Sequence, residues 1–294
     1  MQPIDQYHQL NSSYSNPFIF RLTRRGFFSE VNGLLNAVIF GLAKRRRLIV
    51  DQTDFEGLDW NDLFVSSLPS APPTISSGVQ KEWIVDGRGD AFKRIRKFVQ
   101  RRNQFRIPLW IPDLELFGQV LQVKRTIAAI MTAPRLIATL PNSLGTPYAA
   151  FHIRRGDKTI GYGAHNGLIK EGEVTEPAMY LSVLQRYAPK ISAVFVMTDD
   201  YRTIEELREI APQMHIETFC TPRMLGYQQQ EFSEKSATEK TRSLIQLITE
   251  VQIASKSSIF IGGFKSNVAR FVPLWHRVPE MCLSVDGWRN WTPE

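Results

Sequence analysis

Short apolar runs alternate with segments of helical periodicity along most of the chain, and this alternation is the feature that most limits its fold. Apolar runs of strand length occur at residues 18–22, 48–51, 83–86, 148–153, 193–198, 215–219, 258–261 and 281–285. Helical spacing of apolar residues predicts helices at residues 30–44, 91–102, 114–132, 177–187, 203–210, 240–255 and 266–276. Strands and helices in alternation are typical of parallel sheets covered by helices, so the sequence predicts an α/β fold.

A turn-rich region divides this pattern into two halves. Ala133-Pro134 and residues 141–147 are rich in Pro, Gly, Ser and Asn, which favour linkers. A chain of 294 residues is long enough for two domains of about 100–200 residues each. The sequence therefore predicts two Rossmann-like domains, residues 1–140 and 141–294, facing a cleft that holds a ligand beyond the carboxyl ends of the strands.

The composition favours a protein that is neither disulfide-bonded nor membrane-anchored. Cys220 and Cys282 are the two cysteines, too few for a disulfide framework or a four-cysteine zinc site. Because the amino terminus is polar and no run of about 18 apolar residues occurs, we expect no export signal or transmembrane segment, and a cytoplasmic location. The net charge of +7 indicates an acidic partner such as a diphosphate, an anionic lipid surface or RNA.

Three cations and a histidine lie at the end of the predicted strand at 148–153. The segment reads His152-Ile153-Arg154-Arg155-Gly156-Asp157-Lys158 and follows the apolar Ala149-Ala150-Phe151. Arginine can bind two phosphate oxygens with one guanidinium group, and lysine adds a point charge. We interpret this segment as a phosphate site, and the alternative is a solvated basic turn.

Two later strand ends also carry polar residues. Thr198-Asp199-Asp200 follows a buried strand, and its carboxylates could cap the next helix or take part in ligand binding. Residues 259–270 predict a strand, a glycine turn and a helix start, where backbone amides and Ser266 can bind an anion. Phe264 stands before Lys265 where a P-loop requires glycine, which excludes that motif. The alternative here is an ordinary glycine turn with a serine cap.

Glu250 lies off the apolar stripe of its predicted helix, which is formed by Leu244, Leu247, Ile248 and Val251. A carboxylate in this position could accept hydrogen bonds from both N1–H and N2–H of guanine, a pair of donors that adenine does not offer. The alternative is a solvated helix charge.

In order and spacing, these motifs resemble the α1,6-fucosyltransferases and the bacterial nodulation-factor fucosyltransferases. The match consists of HxRRxDK, the TDD strand end, an acidic residue on a helix and F-x-S-x-V-x-R, and it covers residues 148–275. Weaker similarity covers the glycine-containing first loop, residues 25–32, and residues 47–51. The resemblance implies a GT-B-like enzyme with an acceptor-side domain in residues 1–140 and a GDP-sugar-binding domain in residues 141–294.

The resemblance further implies an inverting transfer of fucose from GDP-fucose to a glycan or glycoconjugate hydroxyl, without a metal or cofactor. The sequence has no Asp-x-Asp motif to hold a divalent cation on a diphosphate. Arg154 and Lys158 would stabilise the departing GDP, and His152 and Glu250 would read guanine, with Glu250 standing where the family has Asp. The other donor-binding residues implied are Arg155, Asp157, Asp199, Asp200, Ser266, Arg270 and Gly26.

The general base that removes the acceptor proton is predicted in the acidic, glycine-rich segment between Lys158 and Pro177. Glu173 is the first candidate and Glu171 the second, and the alternative is a flexible acidic loop.

Two other functions are compatible with the sequence. The basic runs at residues 44–47 and 93–97 could serve a nucleic-acid-binding protein, but no RNP-like aromatic motif accompanies them, and we expect no nucleic-acid partner. The second alternative is a catalytically degenerate protein that binds a GDP-sugar without turning it over.

Overall fold

The computed structural model describes residues 2–55, 57–69, 79–87, 89–100, 106–107, 114–115, 120–145, 147–156 and 175–286. The chain forms two compact units that divide between Leu136 and Ile137. Each unit has its own parallel sheet.

The first unit is built on a three-stranded parallel sheet in the order β2-β1-β3. Its strands are β1 (Pro17–Arg21), β2 (Arg47–Asp51) and β3 (Ile84–Asp86). Two short strands, β4 (Arg106–Ile107) and β5 (Leu114–Glu115), pair antiparallel. The helices described in this unit are α1 (Pro3–Ser12), α2 (Phe27–Ala43), α3 (Trp60–Leu63), α4 (Asp90–Gln100) and α5 (Val120–Met131).

Helix α2 is the centre of the first unit. Most of its residues are buried, because the helix packs against the sheet as well as against α4 and α5. Helix α1 ties down the edge strand β2: the Asn11 side chain donates to the Leu48 carbonyl at 2.8 Å and accepts from the Leu48 amide at 2.7 Å. An otherwise open strand edge is thereby covered.

The second unit is built on a five-stranded sheet in the order β10-β9-β6-β7-β8, and every neighbouring pair is parallel. Its strands are β6 (Ala149–Ile153), β7 (Ala193–Thr198), β8 (His215–Glu217), β9 (Ile259–Gly262) and β10 (Cys282–Ser284). The helices described in this unit are α6 (Pro177–Tyr187), α7 (Arg202–Ile210), α8 (Gln229–Glu234), α9 (Ala237–Ser255) and α10 (Asn267–Trp275).

The central strand β6 is buried along its whole length. Alternate residues Ala149, Phe151 and Ile153 belong to a core cluster with Tyr180 and Leu184 of α6. Helix α9 also packs against β6 and β7. A strand buried in this way needs a continuous apolar sequence, and for this reason the strand could be predicted from the sequence.

The structure corrects the boundaries of two predicted helices. Residues 114–115 pair as a strand, so the helix predicted from 114 begins at Val120 instead. Helix α9 begins before the predicted residue 240, because Ser236 and Glu239 form a reciprocal capping box.

The sequence analysis did not predict α1, whose composition is polar. This helix has Pro3 in its first turn and buries Tyr7 and Asn11 against the rest of the first unit. The helix is stabilised by tertiary contacts, and these cannot be predicted from a short polar sequence. Within the described parts of the chain, none of the helices combines the length and apolar character needed to cross a membrane.

Candidate functional site

The carboxyl ends of three neighbouring strands, β7, β6 and β9, meet along one edge of the second sheet. In the parallel register, Ile153 lies beside Thr198 and His152 lies beside Gly262. The segments that follow these strands therefore leave the sheet at the same edge. These are the segments in which the sequence predicted ligand-binding residues, and parallel α/β sheets bind ligands at this edge.

Asp199 organises the backbone that follows β6. Its carboxylate accepts hydrogen bonds from the amides of Arg155 at 2.8 Å, Gly156 at 2.9 Å and Tyr227 at 3.2 Å. An ionised carboxylate is an acceptor only and can satisfy several donors at once. Asp199 therefore holds the arginine-bearing turn in place, and direct contact of Asp199 with a ligand stays a prediction.

Gly156 allows this turn to touch the backbone of residues 226–227. A Cβ atom on Gly156 would lie 2.4 Å from the Tyr227 carbonyl oxygen and 2.5 Å from Oδ2 of Asp199. Gly226 adopts a φ angle of +110°, which favours glycine. Two glycines are thus needed where the two segments meet.

The two arginines of the turn have different surroundings. Arg155 forms two 2.6 Å hydrogen bonds with Glu206 of α7, and Glu176 lies 3.7 Å from the same guanidinium group. The Arg154 guanidinium lies 5.4 Å from the ring centroid of Tyr227, a cation–π distance. Arg155 therefore braces the turn against α7, and the role of Arg154 as a phosphate ligand stays a prediction.

His152 is buried at the end of β6, with 8% of its surface exposed. Burial, with a smaller contribution from the charge of Arg154, lowers the pKa of His152 to about 3, so its imidazole is neutral at physiological pH. Its Nδ1 atom has no hydrogen-bond partner among the described residues. The strand end thus presents a neutral imidazole with one unused nitrogen.

Ser266 stands at the N-cap position of α10, directly after the glycine turn. Its side chain makes no capping hydrogen bond, and its buried Oγ atom has no partner among the residues that the structure describes. The ordinary serine-cap alternative is therefore not what the structure contains. A helix amino terminus with a spare hydroxyl is suited to an anion.

Other contacts hold the glycine turn itself. Arg270 donates from Nε to the Phe264 carbonyl and so braces the turn. A role of Arg270 in donor binding stays a prediction. The Lys265 amide donates to Oδ2 of Asp286 at 2.8 Å, and Ser284 donates to the other oxygen of Asp286 at 2.6 Å. Asp286 lies in the turn after β10, and the sequence analysis missed it because no motif includes it.

Asp200 binds the first amide of the helix that follows it, in agreement with the first of the two interpretations of this carboxylate. Its Oδ1 atom accepts from the Arg202 amide at 3.0 Å and from the Arg202 Nε at 2.9 Å. Hydrogen bonding to Arg202 lowers the pKa of Asp200, so this carboxyl group stays ionised. Contact of Asp200 with a GDP-sugar donor stays a prediction.

Glu250 is buried on α9 with 8% of its surface exposed, which rules out the solvated alternative. Burial, and to a smaller extent the charge of Asp199, raises the pKa of Glu250 to about 7, and a hydrogen bond from Gln246 opposes this shift. The Gln246 amide nitrogen lies 3.1 Å from Oε1 of Glu250. Gln246 was not predicted as a site residue, although its spacing of four residues from Glu250 on one helix was a usable signal.

Gly26 lies in the first unit, at the start of α2. An added Cβ atom there would meet no atom within 4 Å, so the position does not require glycine for steric reasons. The side chain of the neighbouring Arg25 is held by two hydrogen bonds: it donates to Oε1 of the buried Glu30 and to the carbonyl of Gly87, both at 2.5 Å. A role of Gly26 in donor binding stays a prediction.

Four predicted site residues, Asp157, Lys158, Glu171 and Glu173, lie outside the described residues. In the described ranges, no group of three His, Cys, Asp or Glu side chains could hold a metal ion.

The geometry can be compared with that of known proteins. No protein-family model matches this sequence, and no curated protein sequence matches it. Among solved structures, the fucosyltransferase NodZ from Bradyrhizobium matches with a TM-score of 0.51 and 13% sequence identity. The match covers 89% of this chain and 94% of the NodZ chain. This chain shares the fold of NodZ.

Two further solved structures match with TM-scores below 0.5. A FUT1 mutant from Arabidopsis thaliana in complex with GDP matches at 0.48 and 10% identity, over 92% of this chain and 71% of that chain. POFUT1 in complex with GDP matches at 0.46 and 13% identity, over 92% of this chain and 97% of that chain. The NodZ likeness confirms the expected GT-B-like α/β fold class, and at 13% identity it assigns the fold alone.

Proposed function

We propose that this protein is an inverting, metal-independent glycosyltransferase that transfers fucose from GDP-fucose to a hydroxyl group of a glycan or glycoconjugate. The observation that carries the proposal is a pair of buried polar atoms, Nδ1 of His152 and Oγ of Ser266, without hydrogen-bond partners among the described residues. Buried polar groups are normally paired, so these two atoms at a ligand-binding sheet edge indicate a polar ligand. The fold shared with NodZ supports fucosyl transfer as the reaction.

The donor diphosphate would bind between the arginine-bearing turn and the amino end of α10. Backbone amides at a helix amino terminus bind phosphate oxygens, and the Ser266 hydroxyl adds a donor. Arg154 would supply a guanidinium charge that stabilises the departing GDP, with Lys158 as a second cation. One such preorganised contact lowers a barrier by about 3 kcal/mol.

The guanine base would be read by Glu250. Its carboxylate must be ionised to accept hydrogen bonds from both N1–H and N2–H, and Gln246 supports the ionised form by donating to Oε1 at 3.1 Å. His152, neutral at physiological pH, can offer either a donor or an acceptor to the ligand. In this proposal residues 141–294 hold the donor, and residues 1–140 serve the acceptor.

Transfer would proceed by a single displacement. The acceptor oxygen attacks C1 of fucose while the bond from C1 to the β-phosphate oxygen breaks, which inverts the configuration. The acceptor proton passes to a carboxylate, with Glu173 as the first candidate and Glu171 as the second. The negative charge that develops on GDP is met by Arg154, Lys158 and the α10 amino terminus.

The test compares wild-type protein with Arg154→Ala and with Arg242→Ala, an exposed arginine of α9 that serves as the matched control. GDP release from GDP-fucose is measured with a panel of glycan acceptors, and GDP binding is measured by calorimetry. We expect Arg154→Ala to lower the rate of GDP release at least about 100-fold, as expected for loss of a contact to the leaving group. Arg242→Ala should match wild type.

Two outcomes would contradict the proposal. If wild type binds GDP but releases none from GDP-fucose with any acceptor, the degenerate binding protein is the correct alternative. If thermal shift responds to UDP or ADP compounds and not to GDP compounds, the guanine assignment fails.

A further inference from the structure

Two basic segments that are far apart in sequence lie side by side in the first unit. Lys44 follows the end of α2, and its Nζ atom lies 5.0 Å from the ring centroid of Phe98 on α4. Helices α2 and α4 pack against each other. Arg94 precedes Phe98 by four residues on the same helix, a spacing that makes the two side chains neighbours. The end of α2 and the outer side of α4 therefore form one surface.

Helix α4 turns only cations outward over most of its length. Its apolar residues Phe92, Ile95 and Val99 are buried. Asp90 pairs with Lys93 at 2.9 Å and offsets one charge at the start of the helix. We use the term basic face for the exposed cations of this surface, Lys44, Arg45, Lys93, Arg94, Arg96 and Lys97.

Helix stability does not account for this concentration of charge. Cations are favourable in the last turn of a helix, which fits Lys97 and also Lys44, which follows α2. Lys93 and Arg94 lie in the first half of α4, where the helix dipole does not stabilise a cation. Lys93 and Lys97, four residues apart, also repel each other. A negatively charged partner would remove this repulsion.

The chemistry of the face selects among anionic partners. The aromatic rings beside it are covered by cations: Lys44 lies over Phe98, and the Arg46 guanidinium carbon lies 3.1 Å from the ring centroid of Trp83. Single-stranded nucleic acids are normally bound with bases stacked on exposed rings. A surface with long flexible cations and covered rings suits a dense array of phosphates that requires no base recognition.

We propose that the basic face adsorbs this protein onto anionic lipid bilayers through their headgroup phosphates. Phe92, Ile95 and Val99 of α4 are buried in the protein and the exposed side of this helix is cationic, so the contact is electrostatic and involves no insertion of α4 into the hydrocarbon region. Each Lys or Arg near such a surface strengthens binding about fivefold, and the attraction is screened by salt. This proposal is independent of the fucosyl-transfer proposal.

The test is sedimentation of the full-length protein with vesicles of phosphatidylcholine alone and with vesicles that contain phosphatidylglycerol as the anionic lipid. We expect binding to the anionic vesicles only. The variant Lys93→Gln, Arg94→Gln, Arg96→Gln, Lys97→Gln keeps good helix formers and should weaken this binding by more than about tenfold. Lys44→Gln with Arg45→Gln should weaken it by a smaller factor, because it removes fewer cations from the same face.

A matched control removes four exposed cations of the second unit, Lys190→Gln, Arg223→Gln, Lys235→Gln and Arg242→Gln. It lowers the net charge equally and should bind anionic vesicles like wild type. Circular dichroism of each variant checks that the fold is retained. Equal loss in the control would show that net charge alone drives binding and would overturn the proposal. Absence of vesicle binding would also overturn the proposal. If, in addition, a single-stranded RNA binds the protein and binds the α4 variant more weakly, the basic face is a nucleic-acid surface instead.

Discussion

The turn after β6 and the basic face are both rich in arginine and lysine, but the fold places their charges in different environments. In the turn, Asp199 fixes the backbone amides of Arg155 and Gly156, and Glu206 holds the Arg155 guanidinium. On the basic face, the side chains of Arg94 and Lys97 are exposed to solvent. The first arrangement can place a charge at one defined point, and the second can only provide a diffuse potential. For clusters of similar composition, we therefore propose a specific ligand site in one case and surface adsorption in the other.

Gly156→Ala is the substitution with the largest expected effect on the turn. The new Cβ atom would lie 2.4 Å from a backbone oxygen, so the turn or residues 226–227 must shift. We expect the free energy of unfolding to fall by about 3 kcal/mol and GDP affinity to fall at least about 100-fold. Denaturant unfolding and calorimetry measure the two effects.

Gly26→Ala is the steric control for that experiment, because its new Cβ atom would meet no atom within 4 Å. Its free energy of unfolding should stay within about 1 kcal/mol of wild type. If both glycine variants are equally unstable, loss of glycine in general is responsible and the close approach at Gly156 is not.

GDP affinity should depend on pH through Glu250. Since its pKa is about 7 and guanine requires the ionised form, affinity should rise about tenfold between pH 6 and pH 8. In the Glu250→Gln variant, GDP affinity still depends on the protonation of the GDP phosphates but no longer on that of residue 250. The ratio of wild-type to variant affinity, measured by calorimetry across this range, should therefore increase with pH. A constant ratio would contradict the role of Glu250 in base recognition.

The same group affects stability in a predictable direction. Folding raises the pKa of Glu250 from 4.5 to about 7, so the folded protein holds this proton more tightly than the unfolded chain does. The free energy of unfolding should therefore fall as pH rises from about 4.5 to 7, by about 3 kcal/mol from this group. In Glu250→Gln this part of the decrease should be absent when unfolding is followed by denaturant titration.

Arg155→Lys should have a moderate effect. A lysine cannot reproduce the two 2.6 Å hydrogen bonds to Glu206, and partial exposure of Glu206 limits the loss to about 1 kcal/mol of unfolding free energy. GDP affinity should fall less than in Arg154→Lys, measured side by side. The opposite ranking would mean that the ion pair opens and that Arg155 is the phosphate ligand.

Salt should affect ligand binding at the turn after β6 much less than vesicle binding by the basic face. Between 50 and 300 mM NaCl, GDP affinity should change by at most about threefold, because contacts within a partly buried site are weakly screened. Vesicle binding by the basic face should fall by more than about tenfold over the same range. Equal salt sensitivity would indicate that GDP also binds through diffuse surface charge.

The strands and most helices were predictable because buried parallel strands such as β6 and β7 require continuous apolar sequences. The ends of these strands could also be located, and with them the polar residues that follow. The boundary at α5 and the existence of α1 were not predictable, because the pairing of residues 114–115 and the burial of Tyr7 are tertiary contacts.

Within the candidate site, the sequence could not rank neighbouring residues of the same type. Arg154 and Arg155 are the same residue type, but in the structure Glu206 binds Arg155 and the ring of Tyr227 lies beside Arg154. Asp199 and Asp200 are likewise adjacent, yet one binds the amides of the turn after β6 and the other caps α7 through Arg202. These assignments depend on segments that are remote in the chain.

The amino-acid sequence by itself determined the alternating architecture and the positions of the polar strand ends, because periodicity and turn chemistry are local properties. Only the tertiary structure decided the protonation of Glu250, the anchoring of the turn by Asp199 and the union of Lys44 with the α4 cations in one face. Burial and electrostatic interaction depend on distances in space, and those distances arise when each unit folds and brings its own remote residues together.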